Sequence, residues 1–396
     1  MEIRYVLHGQ EVRIIPKLHD IREPVERALL VGAPRRGTLD AIHADDHLDE
    51  LARLADTAGA TVIGRLVQRV QAPTPKFYLG EGKVDEVRAA ATEHSATLLL
   101  FDEELSPVQG KNLEKALDLR VMDRAELILD IFATRARSRE ARMQVELAQL
   151  EYLLPRLARM WVHLSRIRGG IGLRGPGETQ IETDRRMIRQ KISRLKTKLA
   201  DVERHRAVLR DGRRRRAIPT AALVGYTNAG KSSLLRALTG ADTLVEDRLF
   251  ATLDTLARET VSDEGHRVRL IDTVGFIRKL PHHLVASFRA TLEELAEADV
   301  LLHVIDASHP QWEEQVAVVD GVLAELSLSH LPVVHVFNKA DLLADRAGFR
   351  ERASARFESA MCVSAMQGEL EELREVMKHL DGKRPPAPPP PASRTS

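Results

Sequence analysis

The chain reads Gly225-Tyr226-Thr227-Asn228-Ala229-Gly230-Lys231-Ser232 between an apolar run at residues 221–224 and a helical pattern that begins at Ser233. This order of strand, glycine-rich loop and helix matches the phosphate-binding motif G-x-x-x-x-G-K-[ST]. The glycines let backbone N–H groups turn towards phosphates, and the helix N-terminus adds partial positive charge. An ordinary glycine turn is the alternative, but the flanking strand and helix favour a nucleotide site.

Two side chains at the end of this motif have expected roles. Lys231 is expected to reach the β- and γ-phosphates, and the hydroxyl of Ser232 is expected to ligate Mg²⁺. The motif alone leaves many ATPases and kinases open as alternatives.

The sequence Asn338-Lys339-Ala340-Asp341 narrows the choice of nucleotide. It follows an apolar run at residues 333–337, so we expect it at the carboxyl edge of the sheet, where ligands bind. Asp341 can accept hydrogen bonds from N1–H and the 2-amino group of guanine, whereas adenine has neither donor. Unpaired groups of this kind discriminate by about 10⁴-fold or more. Further along, Ser364-Ala365 is placed for a backbone N–H to reach guanine O6, so the sequence predicts a guanine nucleotide.

Two further segments have the pattern of nucleotide-sensing switches. Asp272-Thr273-Val274-Gly275 follows an apolar strand pattern, and we expect Asp272 to hold Mg²⁺ through water and the Gly275 N–H to sense the γ-phosphate. Phe250-Ala251-Thr252-Leu253-Asp254 contains Thr252, the candidate threonine that closes over Mg²⁺ when GTP is bound. Thr255 is the alternative threonine, and an ordinary polar loop is the alternative interpretation of the segment.

The expected roles form one site for GTP or GDP with Mg²⁺. We interpret Lys231, Thr252 and Gly275 as catalytic, and Ser232 and Thr252 as metal ligands. The expected nucleotide-binding residues are Gly225, Tyr226, Thr227, Asn228, Ala229, Gly230, Lys231, Ser232, Ser233, Phe250, Ala251, Thr252, Leu253, Asp254, Asp272, Thr273, Val274, Gly275, Asn338, Lys339, Ala340, Asp341, Val363, Ser364 and Ala365.

Phe276 directly follows Gly275, where well-known signalling GTPases carry a water-orienting glutamine. A phenylalanine side chain can neither orient nor polarise water. We therefore expect slow hydrolysis by the protein alone, and faster hydrolysis when a partner orders the switch segments.

The rest of the chain divides into further units, and the fold class predicted is α/β. Residues 1–135 alternate strand patterns (28–31, 60–63, 96–101, 119–122) with helical patterns (47–58, 83–93, 107–117), which indicates an α/β domain with a largely parallel sheet. Residues 213–381 are predicted to form the P-loop GTPase domain, also with a mostly parallel sheet. Residues 382–396 are rich in proline and are predicted to be disordered.

Residues 136–212 are predicted to form an antiparallel helical hairpin with a glycine-rich loop at its tip. Two apolar stripes have the spacing of helices that pack along one another. Pro155 is expected to kink the first helix or to open one of its hydrogen bonds. The stripes are Met143, Leu147, Leu150, Leu154, Leu157, Trp161 and Leu164, then Ile188, Ile192, Leu195, Leu199 and Val202, with the loop Gly169–Gly177 between them.

Composition sets limits on the class of protein. With 396 residues, 43% hydrophobic and 30% charged, the chain is expected to be a soluble protein of two or three domains. One cysteine, Cys362, excludes an internal disulfide framework, and the net charge of +1 names no partner. The start lacks a signal-peptide pattern and no apolar run reaches the roughly 18 residues of a membrane helix, so we expect a cytoplasmic protein without stable membrane insertion.

Outside the nucleotide motifs, several segments resemble the HflX family of ribosome-associated GTPases, and the resemblance runs from about Val25 to Leu380. The most specific segment is Gly169-Gly-Ile-Gly-Leu-Arg-Gly-Pro-Gly-Glu-Thr-Gln180, followed by Glu182-Thr-Asp-Arg-Arg186. Others are Phe101-Asp-Glu-Glu-Leu-Ser-Pro107, Asp123-Arg-Ala-Glu-Leu-Ile-Leu-Asp-Ile-Phe132, Arg135-Ala-Arg-Ser-Arg-Glu140 and Gln144-Val-Glu-Leu-Ala-Gln-Leu150.

This resemblance implies a protein that binds the large ribosomal subunit and its ribosomal RNA and, with GTP, splits stalled or idle ribosomes. The hairpin loop would enter the peptidyl-transferase region. We expect a monomer with no DNA partner. The family also includes reports of ATP use by the N-terminal region, but Leu79-Gly-Glu-Gly-Lys-Val84 is an incomplete phosphate loop. Many members continue into a further C-terminal domain, whereas this chain passes into the proline-rich tail.

Basic residues between Arg185 and Arg216 support a partner that carries phosphates. They outnumber the acids there and would attract an RNA backbone by counterion release. A solvated helix face is the alternative on charge alone. The glycine-rich loop sequence favours the RNA-facing interpretation.

Three functions remain open from the sequence. The first is a ribosome-splitting GTPase, the second a signalling switch with protein effectors, and the third an ATP-dependent RNA remodeller. GTP hydrolysis stimulated by ribosomes would separate the first from the second. ATP hydrolysis that survives Lys231→Ala would favour the third.

Overall fold

The computed structural model describes residues 3–7, 10–14, 25–157, 177–214, 218–240, 249–253, 256–261, 267–281, 284 and 293–382. Four sequence predictions lie wholly or partly outside these residues. They concern the glycine-rich loop at 169–177, the stripe positions Trp161 and Leu164, the switch residues Asp254 and Thr255, and the tail at 382–396.

A four-stranded parallel sheet forms the centre of the N-terminal region, with strand order β4-β3-β5-β6. Its strands have long apolar runs because both faces are covered, as β5 shows with four consecutive buried residues. The four predicted strands are all present, and α2, α3 and α4 lie within three residues of the predicted helices. The strands are β3 (Arg27–Gly32), β4 (Thr61–Val67), β5 (Leu98–Phe101) and β6 (Arg120–Asp123).

Helices connect these strands, and a short hairpin precedes them. The hairpin, β1 (Ile3–Leu7) with β2 (Gln10–Ile14), is antiparallel and was not predicted from the sequence. The helices are α1 (Leu39–Ile42), α2 (Ala44–Thr57), α3 (Glu81–Glu93), α4 (Pro107–Leu117) and α5 (Arg124–Arg135).

The helical hairpin pairs α6 (Arg139–Leu153) with the longer α7 (Gly177–Arg214). The helix α6 ends just before Pro155, in a 3-10 turn at Leu154–Arg156, where a kink was expected. In α7 the predicted stripe is the less exposed face, with Leu195 buried. In α6, however, the most buried face includes Ala141, Val145, Ala148 and Tyr152, because this helix packs on α5 as well as on α7.

A six-stranded sheet in the order β12-β11-β10-β7-β9-β8 forms the nucleotide domain. It is parallel except for β8, which pairs antiparallel with β9, so the predicted α/β class with mostly parallel sheets is confirmed. The strands are β7 (Thr220–Gly225), β8 (Leu256–Val261), β9 (Arg267–Asp272), β10 (Val300–Asp306), β11 (Val333–Asn338) and β12 (Ala360–Cys362). The helices are α8 (Lys231–Thr239), α9 (Trp312–Glu325), α10 (Arg346–Arg356) and α11 (Glu371–Gly382).

The hydrophobic core continues from one sheet region to the other. A single cluster of buried residues includes Leu51 and Phe132 from the N-terminal region and Phe250 and Ile277 from the nucleotide domain. Burial on this scale is the main favourable term in folding, so the two regions share part of their stability. None of the helices in the described ranges has the length and apolar content that crossing a bilayer requires.

Two histidines lie side by side in the centre of the larger sheet. His303 on β10 is directly opposite His335 on β11, with ring centroids 5.5 Å apart. His303 is 1% exposed, and neither Nδ1 has a hydrogen-bond partner within the described part of the chain. Burial lowers the pKa of His303 to about 3, so this ring is neutral in the folded protein at physiological pH.

We expect His303→Leu to make the stability of the protein less sensitive to acid. Because the pKa of His303 is lowered on folding, the unfolded chain takes up a proton near pH 6.5 that the folded chain does not bind. The free energy of unfolding should therefore fall by about 1.4 kcal/mol per pH unit below that pH for this group alone. Urea unfolding at about pH 7.5 and about pH 5.5 measures the difference between wild type and variant.

The exposed His330 supplies the matched control. The variant His330→Leu should keep the pH dependence of the wild type. An unchanged pH dependence in His303→Leu would show that this interpretation of the buried ring is wrong.

Candidate nucleotide-binding site

The phosphate loop joins the end of β7 to the start of α8, and its backbone requires two glycines. Gly225 has φ +151° and Gly230 has φ +90°. A Cβ on Gly225 would lie 2.2 Å from the carbonyl oxygen of Val304, and one on Gly230 would lie 2.2 Å from Nδ2 of Asn338. The neighbouring strand ends therefore approach the loop more closely than any other residue type would allow.

The Lys231 side chain lies along the loop that precedes it. Its ammonium group donates to the carbonyl oxygens of Tyr226 at 2.8 Å and Gly225 at 3.1 Å. Burial lowers the pKa of Lys231 to about 8, although the Asp272 carboxylate acts in the opposite direction. The lysine is therefore a buried cation at the position where phosphates are expected.

The predicted base-recognition residues are tied to the phosphate loop by hydrogen bonds. Asn338 donates from Nδ2 to the Ala229 carbonyl at 3.0 Å and accepts at Oδ1 from the Ala365 N–H at 3.1 Å. The Ser364 hydroxyl donates to Asp341 Oδ1 at 2.6 Å. A backbone N–H of Ser364 or Ala365 is expected to reach guanine O6, and both of these groups have partners here, since the Ser364 N–H donates to the Glu369 carbonyl. Their role towards guanine stays a prediction.

Three oxygen-bearing side chains meet beside Lys231. The Ser232 hydroxyl lies 2.6 Å from Thr252 Oγ1 and 2.8 Å from Asp272 Oδ2, and Thr252 Oγ1 lies 3.1 Å from the same carboxylate oxygen. Asp272 Oδ1 is buried and has no hydrogen-bond partner among the described residues. Burial raises the pKa of Asp272, while the Lys231 charge opposes the rise. Hydroxyl and carboxylate oxygens with an unused lone pair suit a hard cation such as Mg²⁺.

Phe276 is fully buried and is not among the residues that line this site. Its N–H donates to the Gly225 carbonyl at 3.0 Å, and its carbonyl accepts from the Thr227 N–H at 2.7 Å. The segment after Asp272 is therefore held against the phosphate loop by backbone hydrogen bonds. No glutamine occurs among the described residues that line the cavity.

A cavity of about 400 Å³ lies between these groups. It brings together most of the predicted residues: Thr227, Asn228, Gly230, Lys231, Ser232, Ser233, Phe250, Ala251, Thr252, Thr273, Gly275, Asn338, Lys339, Asp341 and Ala365. Other predicted residues in the described part of the chain do not line it: Gly225, Tyr226, Ala229, Leu253, Asp272, Val274, Ala340, Val363 and Ser364. The lining also includes Leu342 and Met366, which the sequence motifs did not indicate.

The N-terminal region contacts this site through a buried group of charges. The Tyr226 hydroxyl donates to Glu50 on α2 and accepts from the Arg278 N–H at 3.0 Å. Lys279 lies 2.6 Å from Asp102, at the end of β5. Sequence motifs did not predict these contacts, because the partners are far apart in the chain. The basic pair Arg278-Lys279 and the acidic run at residues 102–104 were the signals that could have indicated an ionic contact.

One arginine orients the acidic side of this contact. Arg124 is 1% exposed and pairs with Glu50 and, at 2.8 Å, with Asp102. Burial raises the pKa of Glu50, but the Arg124 and Arg278 charges outweigh burial and bring the net pKa below its usual value. The carboxylates of Glu50 and Asp102 are therefore ionised, and they pair with Arg278 and Lys279, which follow the Asp272–Gly275 motif.

The glycine-rich segment at residues 79–84 does not form a phosphate loop. Gly80 is the N-cap residue of α3, and Glu81 begins the helix. Lys83 lies within the helix and donates to Glu86 at 2.6 Å. The segment therefore has the geometry of a helix start.

Known families and proteins match this chain over most of its length. Residues 45–133 match the family model "GTP-binding GTPase N-terminal", residues 135–213 match "GTP-binding GTPase Middle Region", and residues 220–339 match "50S ribosome-binding GTPase". The GTPase HflX of Caldanaerobacter subterraneus is 50% identical over 326 residues, 82% of this chain and 75% of the relative. The GTPase HflX of Escherichia coli is 50% identical over 301 residues, 76% of this chain and 70% of the relative.

Solved structures also resemble this chain. A GTP-binding protein of the archaeon Sulfolobus solfataricus, in complex with GDP, is 25% identical, with a TM-score of 0.46. The alignment covers 91% of this chain and 99% of that one.

We expect Gly225→Ala to destabilise the protein by at least about 2 kcal/mol. The added methyl group would meet the Val304 carbonyl, a backbone atom that cannot turn aside, as overpacking in a core does. The matched control is Gly321→Ala in α9, where nothing lies within 4 Å of the new Cβ. That change should stabilise the helix by about 0.5 to 1 kcal/mol. Urea unfolding of both variants tests the pair, and equal stabilities would refute the steric argument.

We expect nucleotide affinity to weaken as the pH rises above about 8. The pKa of Lys231 is lowered to about 8, so above that pH the free site loses the positive charge that phosphates require. A bound diphosphate raises this pKa again, so the dissociation constant for GDP should grow by up to about tenfold per pH unit. Titration with a fluorescent GDP analogue between about pH 7 and about pH 9.5 measures this change.

The variant Lys231→Met serves as the reference for this experiment. It should bind GDP weakly at every pH, without the loss above pH 8. A wild-type affinity that is flat to about pH 9.5 would contradict the assignment.

Proposed function

The chain belongs to the HflX family of GTPases, and from that premise we propose that it binds the large ribosomal subunit and splits stalled or idle ribosomes. The identity of 50% to named members carries the proposal, because it extends over 82% of the chain and not only over the nucleotide domain. The N-terminal and middle regions match family models of their own. A GTPase that needed only its nucleotide domain would not require these parts.

The nucleotide roles of individual residues form part of the proposal. Asp341 would accept from guanine, and the Lys231 ammonium would move from the loop carbonyls to the β- and γ-phosphates. The Gly275 N–H would approach the γ-phosphate. Asp341, Lys231 and Gly275 all line the cavity, and the Lys231 ammonium already lies within the phosphate loop, 2.8 Å from the Tyr226 carbonyl oxygen. These positions support the proposed roles.

The cluster of Ser232, Thr252 and Asp272 supports a Mg²⁺ site. The two hydroxyl groups would be direct ligands, and the Asp272 carboxylate would act through water. The buried Oδ1 of Asp272 supports this role, because it has no hydrogen-bond partner among the described residues and retains an acceptor for a water or ion. When bound, Mg²⁺ would neutralise charge on the phosphate oxygens.

Hydrolysis by the protein alone is expected to be slow. The Phe276 ring is buried and cannot orient the attacking water, and the described residues that line the cavity include no glutamine, glutamate or histidine. A group supplied by the ribosomal subunit would complete the site or order the switch segments. The subunit therefore acts as the activator in this proposal.

The exposed face of α7 supports an RNA partner for the hairpin. Arg186, Arg189, Arg194 and Lys198 are exposed there, whereas Lys191 and Lys196 form ion pairs with Glu146 and Glu151 on α6. Positive charge on one helix favours contact with phosphates by release of counterions. This contact would be independent of base sequence, because the helix would recognise the phosphate backbone and shape of the rRNA.

We expect GTP turnover to be slow for the purified protein and to rise at least about tenfold with purified large ribosomal subunits. The physical reason is the missing water-orienting side chain at Phe276. Phosphate release, measured with and without subunits, tests the expectation. Lys231→Ala is the control, since it should abolish GTP turnover under both conditions.

Other outcomes would favour the other two functions. An unchanged rate with subunits would contradict ribosomal activation and favour protein effectors. ATP hydrolysis that survives Lys231→Ala would favour a separate ATP site.

A further inference from the structure

Phe250 has a backbone conformation that its side chain would normally avoid. Its φ is +57°, and its ring is 1% exposed. A bulky residue in the left-handed region is a rare outlier and persists only where the surroundings hold it there. Residues 249–253, which we call the switch I anchor, also contain buried Leu249 and Leu253, whereas Ala251 and Thr252 are half-buried and line the cavity.

Two contacts hold Phe250 in this conformation, and they come from different parts of the molecule. Its N–H donates to Oγ1 of Thr227 in the phosphate loop at 3.0 Å, in a buried hydrogen bond. Its ring packs edge-to-face on Phe132, with centroids 4.7 Å apart and planes at 82°. Phe132 belongs to α5 of the N-terminal region and is 2% exposed.

The position of Thr252 depends on the same anchor. Two residues after Phe250, Thr252 places Oγ1 2.6 Å from Ser232 Oγ and 3.1 Å from Asp272 Oδ2. Two residues of chain span less than about 7 Å, so a shift of the Phe250 backbone moves this hydroxyl. The buried Leu253 fixes the other side of Thr252.

We propose that Phe132 and Phe250 are positioning residues for Thr252, so that the N-terminal domain sets the metal-binding geometry of the switch I anchor. The inference rests on the proposed role of Thr252 as a Mg²⁺ ligand. Phe132 does not touch the cavity, so its effect passes through the Phe250 ring. Thr227 acts on the same anchor from the phosphate loop, through its hydroxyl group.

The test measures how strongly Mg²⁺ slows the release of a fluorescent, non-hydrolysable GTP analogue. Release is followed with excess Mg²⁺ and again with EDTA, and the ratio of the two rates is the Mg²⁺ effect. In Phe132→Leu and Phe250→Leu, Thr252 loses its fixed position, so the Mg²⁺ effect should fall about tenfold, equivalent to about 1.4 kcal/mol. In Phe132→Leu, whose side chain does not line the cavity, release in EDTA should stay close to the wild-type rate.

Two matched comparisons separate positioning from general damage. Phe77→Leu removes the same volume from the N-terminal core, but on the face of the smaller sheet opposite to Phe132 and away from the switch I anchor. This variant should keep the full Mg²⁺ effect. Thr227→Val should lose it because valine lacks the accepting oxygen, whereas Thr227→Ser should retain it. Urea unfolding of each variant checks that the chain is folded.

Thr252→Ala distinguishes this inference from the role on which it rests. If Thr252→Ala keeps the wild-type Mg²⁺ effect, Thr252 is not the ligand and the proposed metal site is wrong. If Thr252→Ala loses the effect but Phe132→Leu keeps it, the metal site stands and the positioning role of Phe132 is overturned. Equal losses in Phe132→Leu and Phe77→Leu would also overturn it.

Discussion

The side-chain amide of Asn338 occupies the space that a side chain on Gly230 would need, and the Val304 carbonyl does the same at Gly225. These close approaches bring the ends of β7, β10 and β11 against one loop. Asn338 donates to the Ala229 carbonyl and accepts from the Ala365 N–H, so its side chain links the phosphate loop to the segment that follows β12. Lys231 and Asp341 line the same cavity, so their relative placement depends on these contacts.

The phosphate loop is also the point where the two switch segments meet. Thr227 accepts the Phe250 N–H at its hydroxyl and donates its own N–H to the Phe276 carbonyl. The next contacts outward come from the N-terminal region, through Phe132 for one segment and through Glu50 and Asp102 for the other. A buried charge is retained only where a partner compensates it, which Arg124 does for both carboxylates. The nucleotide domain is therefore in contact with the N-terminal region through apolar and ionic groups at once.

Much of this could be predicted from the sequence, because short motifs encode local geometry. The motif at 225–232 required a strand before it and a helix after it, and both are present as β7 and α8. Periodicity placed three strands of the smaller sheet within about two residues of their observed ends, since buried parallel strands are continuous apolar runs, whereas β4 extends four residues beyond the predicted end at residue 63.

What could not be predicted depends on contacts between residues far apart in the chain. Nothing in the local sequence of Phe132 distinguishes a ring that packs on Phe250 from one that packs within its own domain. The left-handed φ of Phe250 was also invisible, since tertiary packing imposes it against the local preference. In α6 the apolar spacing indicated one packed face, but the second partner helix made another face more buried.

The hydrophobic cluster that spans both sheet regions has a consequence for the lifetime of the protein in a cell. A ligand that binds only the folded state adds stability by mass action, about 4 kcal/mol at a concentration a thousand times its dissociation constant. Because Leu51 and Phe132 share one core with Phe250 and Ile277, that gain extends into the N-terminal region, which contributes no residue to the described lining of the cavity. A fall in the supply of guanine nucleotide would therefore expose the N-terminal region, and not only the empty site, to unfolding and to proteases.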